Sequence, residues 1–363
     1  MTDRAGPWVG ALVRRQYFWG IVAILFLLGV NLVRDPNYLA VTVNPAGNLS
    51  GNIVDILRAA APILMIAVGM VLVIATKGID LSVGSLMVVA GAVSMEFLAA
   101  LGDTTSVTAM LAAVGLALAF SGALGAVNGV LVAFVGLQPF ISTLVMMLAG
   151  RGIAKVITSG QNTTAANDPY RWIANGYLLG LPVVFLIAAA IVVLVALVVR
   201  RSALGLMIEA IGINPRASRM AGLKRRGLLV AVYSMSGVLA GVAGVFAVSS
   251  VMTVDVSRTG YQLELDAILA VVIGGTALAG GKFSIGGAAV GALLIATLDK
   301  TVVFLGVSSS ATPAFKAVVI IILCLLQSER VRARIFRRRR AANDPPPSQA
   351  DHPSTAKEEE VAA

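Results

Sequence analysis

The 363-residue chain contains one cysteine, Cys324, and one histidine, His352. A lone thiol excludes an internal disulfide, and Cys324, inside the last apolar run, reads as a buried structural thiol. His352 falls in NDPPPSQADHPSTAKEEE, whose proline and charge content reads as disordered, so histidine-based metal or triad chemistry in the core is excluded. Charge is also scarce. Asp, Glu, Lys and Arg make up 13% of the chain against 58% hydrophobic residues, and mean hydropathy is +0.90. A soluble domain this apolar could not cover its own surface with polar groups, so the chain reads as a membrane protein. A nucleotide-binding loop is missing too. The nearest stretch, GGTALAGGKFS around Lys282, has Thr276 where the first glycine belongs and Phe283 where the magnesium-binding hydroxyl belongs.

Long apolar runs are what the chain has in quantity. A helix needs about 20 apolar residues to cross the hydrocarbon, and runs at 18–33, 59–76, 81–101, 107–135, 139–158, 178–199, 228–252, 265–279, 283–305 and 312–327 supply about ten crossings. The expected fold is therefore all-α, a polytopic transmembrane bundle. Lys and Arg cluster before the first run (Arg4, Arg14, Arg15), between 200 and 226, and after the last run (Arg330 to Arg340). With an even number of crossings these clusters share one side, which the positive-inside rule makes the cytoplasm, so both termini are expected there. The net charge of +10 then reflects topology and contact with anionic lipid, and no nucleic-acid partner is expected. No small-residue cleavage site follows the first run, which reads as a retained anchor. The expected division is a cytoplasmic segment 1–17, a membrane domain 18–327 and a basic, then disordered, tail 328–363.

Two glycine-rich stretches, GIDLSVGS from Gly78 and GGKFSIGG from Gly280, align as distant copies, with Gly84 matching Gly286. Helix-breaking glycines of this kind gather near pathways in transporters, and both copies count to the cytoplasmic side, as a parallel repeat would require. Gly125 with Gly129, Gly237 with Gly241, and Gly287 with Gly291 carry the four-residue spacing that lets helix backbones approach, expected here to serve packing within the chain.

The basic loop 200–226 contains a helix signal. Asn214 is a good N-cap, Pro215 suits the first helical position, and Gly222 supplies a stop after Ala221. Ala217, Met220 and Ala221 share one face of that helix, while Leu204, Met207, Ile208 and Ile211 repeat the same periodicity upstream, with Glu209 the one acid in the loop. Two readings stand: a lever for a soluble partner, or an interfacial helix on anionic headgroups.

Asp80, Glu96, Arg151, Asp266 and Asp299 lie in or close to apolar runs, with Asn128 and Gln138 as uncharged companions. A charge at the bilayer centre costs at least about 2.5–3.5 kcal/mol, so such groups pair or face water. Asp80, Asn128, Gln138 and Asp266 are the pathway-lining candidates. The bland alternative has Asp80 capping the helix after it, and Glu96 and Asp299 solvated near span ends.

Taken together, AAPILMIAVGMVLVIATKGIDLSVGSLMVVAGAV, NGVLVAFVGLQPFISTLVMMLAGRGIA, IEAIGINPRASRMAG and ELDAILAVVIGGTALAGGKFSIGGAAVGALLI resemble successive landmarks of the permease subunits of ribose-type ATP-binding-cassette sugar importers. The likeness covers about 53–327 and is nearest to the galactofuranose type, which also shows DIL and KAVV at corresponding places. It implies a multi-pass subunit of the bacterial plasma membrane that forms the route for a monosaccharide. Its implied partners are a cytoplasmic ATPase that supplies hydrolysis, a second permease of the same or another sequence, and an extracytoplasmic sugar-binding protein. The family's docking loop maps onto IEAIGINPRASRMAG, which makes Glu209, Gly212, Asn214, Arg216 and Ala217 the coupling residues and favours the lever reading. Lys77 stands where the family usually has glycine, and the tail beyond Arg340 has no counterpart. No cofactor, metal or catalytic residue is implied. The competing class is a stand-alone ion-coupled sugar carrier, which would need a committed carboxylate such as Asp266 or Glu96.

Overall fold

Helix α1 spans Gln16–Arg34, α2 Asn52–Ala75, α3 Val83–Leu101 and α4 Val107–Val130, the last running into a π-helical turn at Leu131–Val135. Next come α5 (Pro139–Ile157), α6 (Asp168–Asn175), α7 (Val183–Arg201), α8 (Ala203–Ile213) and α9 (Pro215–Met220). The chain closes with α10 (Arg225–Val251), α11 (Leu263–Ile273), α12 (Ile285–Phe304) and α13 (Thr312–Gln327). This is a computed structural model, and it describes residues 16–45, 47–308 and 310–327. The expectations for 1–15 and for the tail with His352, and the burial expected of Cys324, lie outside what it describes.

Among the described residues seven helices are long and apolar enough to cross a membrane: α2, α3, α4 with its π turn, α5, α7, α10 and α12. Helices α1, α8 and α13 are apolar but shorter within the described part. The run expected to cross at 265–279 differs. Its helix, α11, has 11 residues, about 16 Å, roughly half the hydrocarbon thickness, and Gly274 and Gly275 then end it. The segment continues as turns to Ser284, whose hydroxyl accepts from the Gly287 amide to cap α12. Smaller shifts have equally local causes. The run expected from 178 begins as a hairpin, with Leu178 paired to Leu181, and its helix starts at Val183. Helix α2 starts seven residues ahead of its apolar run, at Asn52, carrying Asp55 and Arg58 in its first turns.

Helix α2 is the axis of the bundle. From Ala60 to Ala75 its side chains are buried almost without interruption, among α7, α10, α11 and α12. The small-residue spacings show how such close packing is reached. At the crossing of α4 and α10 a Cβ on Gly125 would lie 3.0 Å from the Gly237 Cα, and one on Gly241 would strike the Ser121 hydroxyl. Between α11 and α12 a Cβ on Gly287 or Gly291 would meet the carbonyls of Gly274 or Ala270 at 2.0 Å. All three spacings thus serve packing inside the chain. The outward faces of α4, α5 and α7 expose Leu111, Phe120, Phe140, Leu148, Val193 and Leu194, the composition that a lipid-facing surface carries. Three two-residue antiparallel ribbons, 42–43 with 49–50, 163–164 with 253–254, and 177–178 with 181–182, close the end of the bundle remote from α8 and α9.

Candidate functional site

Three backbone segments meet where α8 touches the bundle. The last turn of α2 ends at Ala75, the loop before α12 passes through Gly280 and Gly281, and α8 ends at Gly212 and Ile213. The Gly281 amide donates to the Ala75 carbonyl at 2.9 Å. A Cβ on Gly212 would lie 1.9 Å from that carbonyl and 2.5 Å from the Gly281 nitrogen, so only glycine permits this approach. Gly212, singled out from the sequence as a coupling residue, is the point at which the loop bears on two membrane segments at once.

Lys77 completes the junction. It adopts φ 65, a left-handed conformation that costs a non-glycine residue about 1–2 kcal/mol, although the sequence offers lysine rather than glycine there. Its Nζ donates to the Ile213 carbonyl at 3.2 Å, taking up one of the carbonyls that the end of α8 leaves free. Its stem covers Gly280, where a Cβ would sit 2.5 Å from the Lys77 Cγ. The two glycine-rich stretches therefore lie side by side. The helix break falls on Lys77, Gly280 and Gly281 rather than on Gly84 and Gly286, which occupy the first turns of α3 and α12. Gly78 sits in the turn against the Tyr233 hydroxyl.

Directly beyond Gly78 lies a polar knot. Both Asp80 oxygens are engaged: Ser82 donates its amide (3.0 Å) and its hydroxyl to Oδ1, and Ser236 donates its hydroxyl to Oδ2 at 2.8 Å. The Asn128 amide donates to the Ser82 hydroxyl at 2.9 Å, Ser142 donates to Asn128, and Thr143 donates to the Ile79 carbonyl at 3.0 Å. Asp80, Ser82, Asn128 and Ser236 are fully buried, so the turn between α2 and α3 is tied to α4, α5 and α10. Burial pushes the Asp80 carboxyl above its ordinary range, and the serine donors pull it part of the way back. The carboxylate thus binds its own turn rather than capping α3, whose N-cap is Ser82 and which has no side-chain cap bond. Gln138, the other uncharged candidate, is the exposed N-cap position of α5.

The helices of the basic loop form as their sequence signals require. Asn214 Oδ1 accepts from the Arg216 and Ala217 amides at 3.1 Å, Pro215 opens α9, and Gly222 at φ 82 ends the segment. Ile208 and Ile211 pack inward. Helix α9 buries Ser218 and leaves Ala217, Met220 and Ala221 exposed together with Arg216 and Arg219, Met220 being 90% exposed. Glu209 lines a cleft of about 290 Å³ with Arg200, Ser202 and Phe283. The surface offers charge and uncovered apolar area side by side.

At the far end, the remaining candidate, Asp266, is paired with Lys316, whose Nζ lies 3.0 Å from Asp266 and 2.7 Å from Asp299. Sequence reasoning missed Lys316, although a lone lysine inside the run 312–327 was the available signal. Asp299 is thus paired rather than free in solvent, and Glu96 accepts a hydrogen bond from Thr163. Among the described residues no cluster of His, Cys, Asp or Glu could hold a metal ion.

Apolar outer faces, spanning helices and a buried polar knot define a multi-pass membrane protein. Residues 52–326 match the family model described as the permease component of branched-chain amino acid transport systems. The chain belongs to that permease family. It is 52% identical over 329 residues to a fructose import permease of Bifidobacterium longum, covering 89% of this chain and 90% of the relative. It is 39% identical to the galactofuranose transporter permease of Escherichia coli, over 87% of this chain and 92% of that one. To the Escherichia coli ribose import permease it is again 39% identical, over 87% and 97%. The identity to the fructose permease thus exceeds that to the galactofuranose permease. No solved structure matches this chain.

Proposed function

We propose that this chain is the transmembrane subunit of an ATP-binding-cassette importer that carries a monosaccharide inward through a bacterial plasma membrane. The observation that carries this is its identity, over nearly the whole of both chains, to import permeases for three sugars. Fructose, ribose and galactofuranose can all adopt a five-membered ring, so the substrate is a monosaccharide with an accessible furanose form. Helices α1 and α13 and the half-length α11 with its glycine-rich turns complete about ten crossings, with both termini and 200–226 cytoplasmic. A cytoplasmic ATPase docks on α8 and α9, using Glu209, Gly212, Asn214, Arg216 and Ala217. A second permease and an extracytoplasmic binding protein complete the assembly. The likeness of IEAIGINPRASRMAG to the family's docking loop supports a protein partner over a resting place on lipid, and the uncovered Met220, Leu206 and Ile213 offer that partner apolar area. The ion-coupled alternative draws no support from Asp266, which already has a lysine partner.

Reconstitution tests the reading. Proteoliposomes holding this chain with its ATPase, second permease and binding protein take up fructose or ribose only with ATP; uptake by this chain alone on an ion gradient rejects it. Replacing Glu209 or Arg216 lowers ATPase association or sugar-stimulated hydrolysis with insertion intact, and normal transport in both variants rejects the docking assignment.

A further inference from the structure

A cavity of about 500 Å³ opens between α11 and α13 at the end remote from the basic loop. Tyr261, Gln262, Asp266, Thr312 and Lys316 supply its polar lining. We propose that it is a receiving subsite for a neutral monosaccharide on the outer half of the route, a reading that rests on the sugar-import function above.

Four observations carry it. First, the groups lie within or against helices that are apolar elsewhere, and Tyr261 is 62% exposed, with Gln262 also exposed. Asp266 and Lys316 place charge on two otherwise apolar helices, and charged side chains avoid hydrocarbon, so this face borders water or protein. Second, the charge pattern disfavours an anionic ligand: Lys316 holds both oxygens of Asp266 (3.1 and 3.0 Å) and one of Asp299, which leaves one surplus negative charge. A molecule rich in hydroxyls can donate to the second lone pairs on the carboxylate oxygens. Third, Gln262 is held at φ 62, and its side-chain amide makes no cap bond to α11. A left-handed non-glycine residue is a cost retained where the surrounding structure fixes it, and here it places a free amide at the cavity rim. Fourth, Tyr261 is prearranged: the Arg151 guanidinium lies 5.9 Å from its ring centroid, and Arg151 Nη2 donates to the Gly260 carbonyl at 3.3 Å. A fixed aromatic face suits the C–H side of a sugar ring, and the volume falls in the range of small-molecule sites. The open mouth favours fast release, as a transit site requires.

The test uses the complete importer in proteoliposomes with radiolabelled fructose and ribose as probes, comparing wild type with Gln262→Ala and Tyr261→Ala. Neither change touches the lysine-carboxylate cluster. Sugar moved per ATP hydrolysed should fall about tenfold in each, the scale of one lost hydrogen bond or stacked ring, with binding-protein-stimulated hydrolysis and subunit association kept. Unchanged sugar per ATP in both variants overturns the proposal. So does a loss accompanied by separation of the two permeases on size-exclusion chromatography, which makes the face a subunit contact. A wild-type assembly that moves neither sugar with ATP defeats the import reading itself, and the subsite with it.

Discussion

Gly212→Ala isolates the junction more cleanly than any charged substitution, because it adds one methyl group and removes nothing. The added Cβ would lie 1.9 Å from the Ala75 carbonyl, 2.5 Å from the Gly281 nitrogen and 3.0 Å from the Gly281 Cα. All three neighbours are backbone, so no side chain can swing aside. Even a 3.0 Å contact with the carbonyl needs a displacement of 3.0 − 1.9 = 1.1 Å, by α8 or by the ends of α2 and the Gly281 turn. A shift of α8 away from the bundle also strains the Lys77 bond to Ile213, already 3.2 Å. Overpacking of this kind costs about 1–3 kcal/mol, equivalent to about 5- to 150-fold if it falls on the docked arrangement. The assay measures ATPase association by pull-down and sugar uptake per ATP in proteoliposomes. Gly286→Ala is the control, because a Cβ there meets nothing within 4 Å. If Gly212→Ala matches Gly286→Ala in both readouts, the junction does not transmit force and the reasoning fails.

Lys77→Met keeps the stem over Gly280 and removes only the bond to Ile213, so uptake per ATP falls while membrane insertion is normal. Lys77→Gly also relieves the left-handed strain of about 1–2 kcal/mol, so thermal unfolding in detergent should show it at least as stable as Lys77→Met, although equally uncoupled; lower stability refutes the strain argument. Asp80→Ala leaves the Ser82 and Ser236 donors without their acceptor in a fully buried site and should cost about 3 kcal/mol, against about 2 for Ser236→Ala, which leaves one buried carboxylate oxygen without a donor, by the same unfolding measurement. Lys316→Met strands two part-buried carboxylates and should cost about 2–3 kcal/mol, whereas Lys300→Met breaks an ion pair to Asp55 whose side chains are 29% and 50% exposed and should cost less than about 1. Equal losses in those two lysine variants would refute the distinction between them.

What the sequence made legible was local. Asn214, Pro215 and Gly222 announce α9 because capping is a matter of neighbouring residues, and the structure reproduces the cap bond for bond. The four-residue glycine spacings announce close helix crossings for the same reason. Long-range facts stayed hidden. Nothing near Asp80 says that its acceptors are filled by Ser236, 156 positions away, or that Asn128 reaches Ser82. Hydropathy alone ran α11 on to Ala279, because GGTALAGG is apolar enough to extend a run although its glycines end the helix. Lys77 shows the limit most clearly. From sequence, lysine at a glycine position questions the turn; in the fold the turn keeps its left-handed geometry and the side chain is turned to use on α8.

The order of contacts also says which way a push at the loop must travel. Helix α8 reaches the bundle through Gly212, against Ala75 and Gly281, and through Ile213, against Lys77. The Ala75 end belongs to the most buried helix, which is packed too tightly to bend, so displacement there passes along the chain to Gly78. Gly78 abuts Tyr233 of α10, and two residues later Asp80 holds Ser236 of the same helix. The Gly281 side leads instead into α11 and α12, whose carboxylates clasp Lys316 of α13 at the opposite end. One contact therefore divides into two routes, one ending in the polar knot of α4, α5 and α10, the other in the cavity between α11 and α13. A substitution that loosens only the knot, such as Ser236→Ala, which removes the donor to Asp80 Oδ2, should alter the first route while leaving the α11 and α13 end in place. Crosslinking by cysteines placed at Gln262 and Thr312 tests this: their distance should respond to ATP in that variant as in the parent, and a response abolished by Ser236→Ala would mean that the two routes are one.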